Sequence, residues 1–181
     1  SVLDSSGKIS EYIAACRDMG IQVLPPDINE SEDGFSVSGK NIRFGLAAIK
    51  NVGRSFMKQL VAEREQGGPF ASLSDFCERM NKRALESLIK AGAFDATGAR
   101  RSQLLAVYER VADGVAQSRR KNLEGQLDLF GMGGAEQQSN QVTLPNIPEL
   151  AKSERLSMEK ETTGLYLSGH PMDEHRALAR R

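Results

Sequence analysis

The sequence predicts a mainly α-helical fold that has a small α/β piece at its N-terminal end and a flexible linker near its C-terminal end. Three observations predict it. Apolar residues recur with helical spacing over most of residues 45–117. Short apolar runs flank Ser38-Gly39-Lys40, as in a β-hairpin. Residues 131–141 are rich in Gly, Gln, Ser and Asn, a composition that cannot bury a core.

Residues 1–44 are predicted to hold one helix and a short hairpin. Residues 8–19 form the helix, which ends at Gly20 and carries one apolar stripe: Ile9, Tyr12, Ile13 and Cys16. Residues 21–24 then run extended into Pro25-Pro26, which exclude a helix there. Residues 35–37 and 41–44 are predicted to pair as the two arms of the hairpin.

Residues 46–160 are predicted to form a series of helices separated by Gly-containing turns. These helices cover 46–49, 54–66, a segment that begins at Ser72, 82–90, about 99–117, and 150–160. Ser72 with Asp75 three residues later is a variant of the capping box, in which Glu is more usual. Pro145 and Pro148 keep the chain before the last helix extended.

The composition limits what the chain can bind. Its 181 residues suffice for one large domain or two small ones, and 24 basic residues balance 24 acidic ones. This balance excludes a uniformly basic nucleic-acid binder, so such a site must be a local patch. Cys16 and Cys77 lie far apart without a metal-ligand spacing, so we expect no metal site and a reduced, cytoplasmic chain. We also expect no signal peptide and no membrane partner, and interpret the missing initial Met as the mark of a fragment.

The sharpest functional signal is the turn Lys50-Asn51-Val52-Gly53 between two predicted helices. A helix, a four-residue turn that ends in Gly and a second helix form the helix-hairpin-helix pattern. Gly53 permits a left-handed conformation or a close approach of a ligand to the backbone. The N–H groups of the turn and of the next helix start, together with the helix dipole, would then form a phosphate site. Such a site reads no bases, so it binds DNA without sequence preference.

Basic side chains surround this turn. Residues 40–64 contain six basic residues against Glu63 alone: Lys40, Arg43, Lys50, Arg54, Lys58 and Arg64. The candidate DNA contacts of the first hairpin are Lys50, Asn51, Val52, Gly53, Arg54, Ser55 and Lys58. Met57 departs from the pattern, because a small residue is more usual there and allows closer helix packing. The alternative is an ordinary turn between two packed helices.

Residues 88–94 repeat the pattern in a degenerate form. An apolar pair is followed by Lys90, Ala91 and Gly92 between two predicted helices. Two such hairpins can hold successive phosphates along one strand, so the sequence predicts a tandem helix-hairpin-helix domain. Lys90, Ala91 and Gly92 are the candidate DNA contacts of the second hairpin.

A short linear motif lies beside the Gly-rich segment. In Gln126-Leu127-Asp128-Leu129-Phe130, Leu129 and Phe130 would fill an apolar pocket of a sliding clamp, and Gln126 would hydrogen-bond at its rim. The alternative is an extension of the preceding helix that packs on residues 104–115. No carboxylate pair has the setting of a two-metal polymerase centre, and no phosphate loop is present, so we predict no catalytic or metal-binding residue.

Taken in order, several runs resemble the bacterial DNA polymerase III alpha subunits, a family of replicative polymerases. The resemblance covers nearly the whole chain except residues 131–148, and its runs are 16–21, 24–29, 42–53, 68–70, 73–77, 81–85, 88–95 and 161–171. It implies four regions: the end of the fingers (1–39), a tandem helix-hairpin-helix domain (40–118), a linker with the clamp-binding peptide (119–148), and a segment that leads to an OB-fold (149–181).

The resemblance also implies the function of the longer protein. That protein extends a primed DNA template with two Mg²⁺ ions, which are held by aspartates upstream of this chain. The implied partners of this chain are duplex DNA, the sliding clamp and the rest of the polymerase. Two alternatives remain open. The chain could be a scaffold that packs on the fingers with little DNA contact, or a hairpin module of a repair enzyme, against which the fingers-like start and the clamp-like peptide argue.

Overall fold

The computed structural model describes residues 2–127, 142–169 and 171, and it confirms the mainly helical fold with a small sheet near the N-terminal end. The six helices of these residues are α1 (Val2–Asp18), α2 (Arg54–Gly67), α3 (Leu73–Arg79), α4 (Leu85–Ala91), α5 (Arg101–Leu127) and α6 (Lys152–Thr163). Short 3-10 helices cover Leu46–Ala48, Lys82–Ala84 and Asp95–Thr97. The strands are β1 (Val23–Leu24), β2 (Ser36–Ser38) and β3 (Asn41–Arg43).

The sheet has β3 at its centre. β3 pairs antiparallel with β2, with Val37 opposite Ile42, and parallel with β1, with Val23 opposite Ile42. The predicted hairpin is therefore confirmed. The chain enters the helical core directly after β3, because Phe44 and Leu46 are both buried there. The sheet thus fixes the start of the segment that carries the first hairpin turn.

The core lies among α2, α3, α4 and α5 and centres on three phenylalanines. The ring of Phe76 lies 4.9 Å from that of Phe70 and 5.1 Å from that of Phe94, and each of the three side chains is at most 2% exposed. Ser72 caps α3 by accepting the N–H of Asp75, as predicted. Among the residues described, no helix is long and apolar enough to cross a membrane.

Helix α5 is longer than predicted. It runs to Leu127, whereas the apolar spacing predicted an end near Gln117, so that prediction was wrong. Residues 118–127 contain no Pro and consist mostly of good helix formers, so the helix continues without an apolar stripe. Arg119 also anchors it by donating to the backbone carbonyl of Glu78 on α3. Part of the segment predicted as a linker is therefore helical.

Residues 142–150 form no helix or strand, and the carbonyls of Ile147 and Pro145 accept hydrogen bonds from Arg100 and Gln103 at the start of α5. The Glu149 carboxylate accepts the N–H groups of Arg101 and Ser102, each at 3.1 Å, and so caps α5 in place of an N-cap side chain. Burial would raise the pKa of Glu149, but the backbone hydrogen bonds from Leu150, Ser102 and Arg101 together with the nearby charge of Arg155 outweigh it and lower the pKa. Val142 and Leu144 pack against the core. This part of the predicted linker is therefore attached to the helical domain.

Candidate nucleic-acid interface

The first hairpin turn, residues 50–53, connects the 3-10 helix Leu46–Ala48 to α2. Two apolar side chains fix it to the core, since Ile49 is 2% and Val52 is 7% exposed. The residues between and after them, Lys50, Asn51 and Gly53, are exposed. The predicted contact Val52 is therefore an internal anchor, and only its neighbours face solvent.

The start of α2 leaves backbone donors free, and three of them belong to exposed residues. Gly53 is the N-cap and has no side chain to accept a hydrogen bond. In the described part of the chain, no hydrogen bond uses the N–H of Gly53, Arg54 or Ser55. The first turn of α2 also has no acidic side chain to neutralise the positive end of the helix dipole. These three N–H groups are available to an anion.

The cationic side chains of this surface are also unpaired. Lys50, Arg54 and Lys58 are exposed, and none takes part in an ion pair within the residues described. Two members of the predicted basic cluster are structural instead. Arg43 pairs with Glu30 and bonds the carbonyl of Pro25, while Arg64 bonds the carbonyls of Ile28 and Ser31. Of the four remaining cations of that cluster, Lys40 lies at the β2–β3 turn, and the other three lie at the hairpin turn and the first two turns of α2.

The turn places its left-handed residue at Asn51 and not at Gly53. Asn51 has φ = 68°, whereas Gly53 has φ = −85° and ψ = 161°, which any residue adopts. The expectation that Gly53 could be left-handed was therefore wrong. Asn51 can take this conformation instead, because Asn tolerates it better than most residues. Nothing in the fold crowds a Cβ at position 53, since no atom lies within 4 Å of it. The other expectation for Gly53, that a ligand can approach its backbone closely, is compatible with this open space.

Met57, the departure from the usual pattern, is 1% exposed. Its side chain belongs to the core cluster that also holds Phe56 and Leu60 of the same helix. A long side chain is thus accommodated at this position by the interior of the fold.

The second hairpin turn is buried. Ala91 is 0% exposed, and Gly92 takes the left-handed conformation with φ = 87° at the end of α4. The N–H of Gly92 donates to Ile89 O and that of Ala93 to Leu88 O, so the turn satisfies its own donors. Lys90 pairs with Glu86 at 2.8 Å, a hydrogen bond that raises the pKa of Lys90. The expectation that Lys90, Ala91 and Gly92 contact DNA finds no support in this geometry.

Sequence reasoning missed the buried charges that cover this second turn. Arg101 is 1% and Glu159 0% exposed, and Arg101 Nη1 donates to Glu159 Oε1 at 3.0 Å. Arg101 also binds the Asp95 carboxylate at 2.8 Å, and Glu159 accepts the N–H groups of Leu167 and Ser168, each at 2.9 Å. The spacing of residues in α6 could have revealed the burial of Glu159, because Glu159 lies on the same helix face as Leu156 and Thr162.

The predicted clamp-binding peptide falls mostly outside the described residues. The backbone of α5 includes Gln126 and Leu127, whereas Leu129 and Phe130 lie outside the part of the chain that the structure describes. The roles of Gln126, Leu129 and Phe130 therefore stay predictions.

Comparison with known proteins finds similarity over the region that carries both hairpins. The family model described as the helix-hairpin-helix motif matches residues 20–104, which include both hairpins. The chain is 44% identical over 179 residues to the DNA polymerase III subunit alpha of Deinococcus radiodurans, covering 96% of this chain and 13% of that protein. It is 42% identical to that of Saccharopolyspora erythraea, covering 94% of this chain and 15% of that protein. For Thermus aquaticus the identity is 44%, with 92% of this chain and 14% of the relative covered.

The chain thus spans about a seventh of the length of these curated relatives. The matched region covers the same stretch as the resemblance seen in the sequence and includes the first hairpin. The chain is accordingly a relative of one stretch of the bacterial DNA polymerase III alpha subunits, with a helix-hairpin-helix motif within residues 20–104.

Proposed function

We propose that this chain binds the phosphate backbone of DNA through its first hairpin, as part of a replicative DNA polymerase. The observation that carries the proposal is the free N–H groups of Gly53, Arg54 and Ser55 at the positive end of α2. The unpaired side chains of Lys50, Arg54 and Lys58 add charge at the same place. All these groups recognise phosphate oxygens and none presents itself to a base edge, so the binding is independent of sequence.

We further infer that the bound form is duplex DNA at a primer end, and that the polymerase acts in the cytoplasm. The support is the similarity to DNA polymerase III alpha subunits over nearly the whole chain. In this proposal the catalytic carboxylates and their Mg²⁺ ions belong to other parts of the polymerase. This chain contributes DNA binding and tethering.

The first test removes the two cations nearest the turn. Lys50→Ala with Arg54→Ala should weaken duplex binding and lower the slope of log K against log salt by about 1.8, since each lost phosphate contact contributes about 0.9. The matched control is Arg120→Ala with Lys121→Ala, which removes two exposed cations from the far part of α5. Unchanged affinity and slope in the first variant would remove the first hairpin from the DNA site.

We also propose that Gln126, Leu129 and Phe130 bind the sliding clamp. A tether of this kind would raise the effective concentration of the hairpin at the primer end without any further DNA contact. Leu129→Ala with Phe130→Ala should abolish binding to the purified clamp, measured by surface plasmon resonance. Retained clamp binding by this double variant would show that the peptide serves another purpose.

One observation favours a second role as a scaffold within the polymerase. An apolar surface joins α1 to the sheet, formed by Ile9, Tyr12, Ile13, Cys16, Val23, Phe35 and Ile42. Tyr12 is 69% and Phe35 43% exposed. We infer that this surface packs against the rest of the polymerase, in the manner of the fingers-packing alternative. A titration of the 181-residue chain with labelled duplex separates the two roles, because a pure scaffold shows no saturable binding at low salt.

A further inference from the structure

The first hairpin turn is held by hydrogen bonds from outside its own two helices. The backbone N–H of Lys50 donates to the carbonyl of Thr162, at the end of α6, over 2.7 Å. The next residue, Asn51, donates its side-chain Nδ2 to the hydroxyl of Ser87 on α4 over 3.2 Å. α4 is the first helix of the second hairpin. Two successive residues of the turn are therefore attached to two different elements.

Asn51 adopts a conformation that side chains rarely take. It is the one non-glycine residue with positive φ in the described part of the chain. Such a conformation persists where the surrounding structure holds it. Glycine would adopt φ = 68° with less strain, but it could not make the bond to Ser87. The asparagine at this position therefore combines the left-handed turn with a tertiary hydrogen bond.

Ser87 cannot take part in DNA binding directly. It lies on α4 and is only 8% exposed. Its hydroxyl accepts the hydrogen bond from the Asn51 amide over 3.2 Å. Any effect of Ser87 on DNA must therefore pass through Asn51.

We propose that Asn51 is a positioning residue, which through Ser87 holds the first hairpin turn in its phosphate-binding conformation. The second hairpin is then the scaffold of the first, which agrees with its own buried turn. This inference rests on the proposed DNA-binding function, and it replaces the sequence-based expectation that Asn51 contacts DNA. Without the bond, the turn would sample other conformations, and DNA binding would have to order it first.

The test is a double-mutant cycle on duplex affinity, with Asn51→Gly, Ser87→Ala and the two together. Asn51→Gly permits the left-handed conformation and removes the side-chain amide. Each single variant should weaken binding about fivefold, the size of one net hydrogen bond. The double variant should be no weaker than either single one, because both remove the same bond. The salt slope should stay unchanged in all three, since no phosphate contact is lost.

Two controls separate positioning from loss of folding. Ser157→Ala, an exposed hydroxyl on α6, should leave affinity unchanged. Thermal unfolding without DNA sets a temperature at which every variant is fully folded, and affinities are compared there. A loss of affinity in fully folded Ser87→Ala protein is an effect that destabilisation alone does not produce.

Unchanged affinity in Ser87→Ala, while Lys50→Ala with Arg54→Ala still weakens binding, overturns the positioning role and leaves the proposed function intact. Additive losses in the double variant would mean that Asn51 contacts DNA itself. Absence of duplex binding by the unaltered chain would overturn the proposed function and this inference with it.

Discussion

Ser55 offers a substitution that should raise stability and lower DNA affinity at the same time. It is the second residue of α2, it is exposed, and its N–H is one of the three free donors. No acidic side chain lies in this first turn, where Arg54 already places a cation against the positive helix end. Ser55→Asp supplies the missing negative charge within reach of the free N–H groups. The control is Ser55→Asn, because Asn has the same shape as Asp without its charge.

The magnitudes follow from the position of the carboxylate. A negative charge in the first turn of a helix stabilises it by about 0.3–1 kcal/mol. For a chain of this length, this corresponds to a rise in Tm of about 1–4 °C. A phosphate that approached the same N–H groups would meet a like charge, which costs about 1 kcal/mol at 4 Å in water and about 4 kcal/mol near a protein surface. The affinity for duplex should therefore fall between about fivefold and about a thousandfold.

The assay is thermal unfolding in low salt without DNA, followed by fluorescence anisotropy with a labelled duplex in the same buffer. Ser55→Asn should change Tm and affinity little. A lower Tm in Ser55→Asp would show that the N–H groups at the start of α2 are not free. Unchanged affinity in Ser55→Asp would refute the view that an anion binds at this helix end.

Two further predictions concern the interior. Gly92→Ala should destabilise the chain by about 2–5 kcal/mol, because a Cβ there would collide with the Arg101 guanidinium and would also have to take a left-handed φ. The control Gly98→Ala has φ = 84° but open space around the Cβ, so it should cost only about 1 kcal/mol. Urea unfolding measures both losses, and equal losses would exclude the contact with Arg101. Burial raises the pKa of the Cys77 thiol to about 11, so about 0.1% of it is thiolate at pH 8. Iodoacetamide should therefore label Cys77 only after unfolding, which peptide mass spectrometry measures. Rapid labelling of the native chain would contradict this prediction.

Local patterns predicted the elements of this fold well where apolar spacing or turn chemistry was strong. The hairpin around Gly39, the Ser72 cap and the helix starting at Arg54 all follow from such signals. The end of α5 did not, because residues 118–127 are mostly good helix formers with few apolar positions, and Arg119 is held by a tertiary hydrogen bond to the carbonyl of Glu78. A polar helix of this kind resembles a linker in sequence.

The site was predictable in place but not in detail. The motif located the turn at residues 50–53, yet only the tertiary structure shows which basic residues are free and which, like Arg64, hold carbonyls of the domain. The same holds for the second hairpin. Its burial depends on Arg101 and Glu159, which lie 58 residues apart and meet inside the fold. No local pattern links two charges at that separation.

Gly53→Ala is the most direct test of phosphate binding at the first hairpin. The backbone at position 53 is ordinary and a Cβ there meets no atom within 4 Å, while the poorer N-cap preference of Ala offsets its lower unfolded-state entropy, so the variant should fold with little change in Tm. A phosphate held by the N–H groups of residues 53–55 would occupy that open space. Duplex affinity, measured by fluorescence anisotropy, should therefore fall at least about tenfold in a fully folded protein. Full DNA affinity in Gly53→Ala would contradict the account.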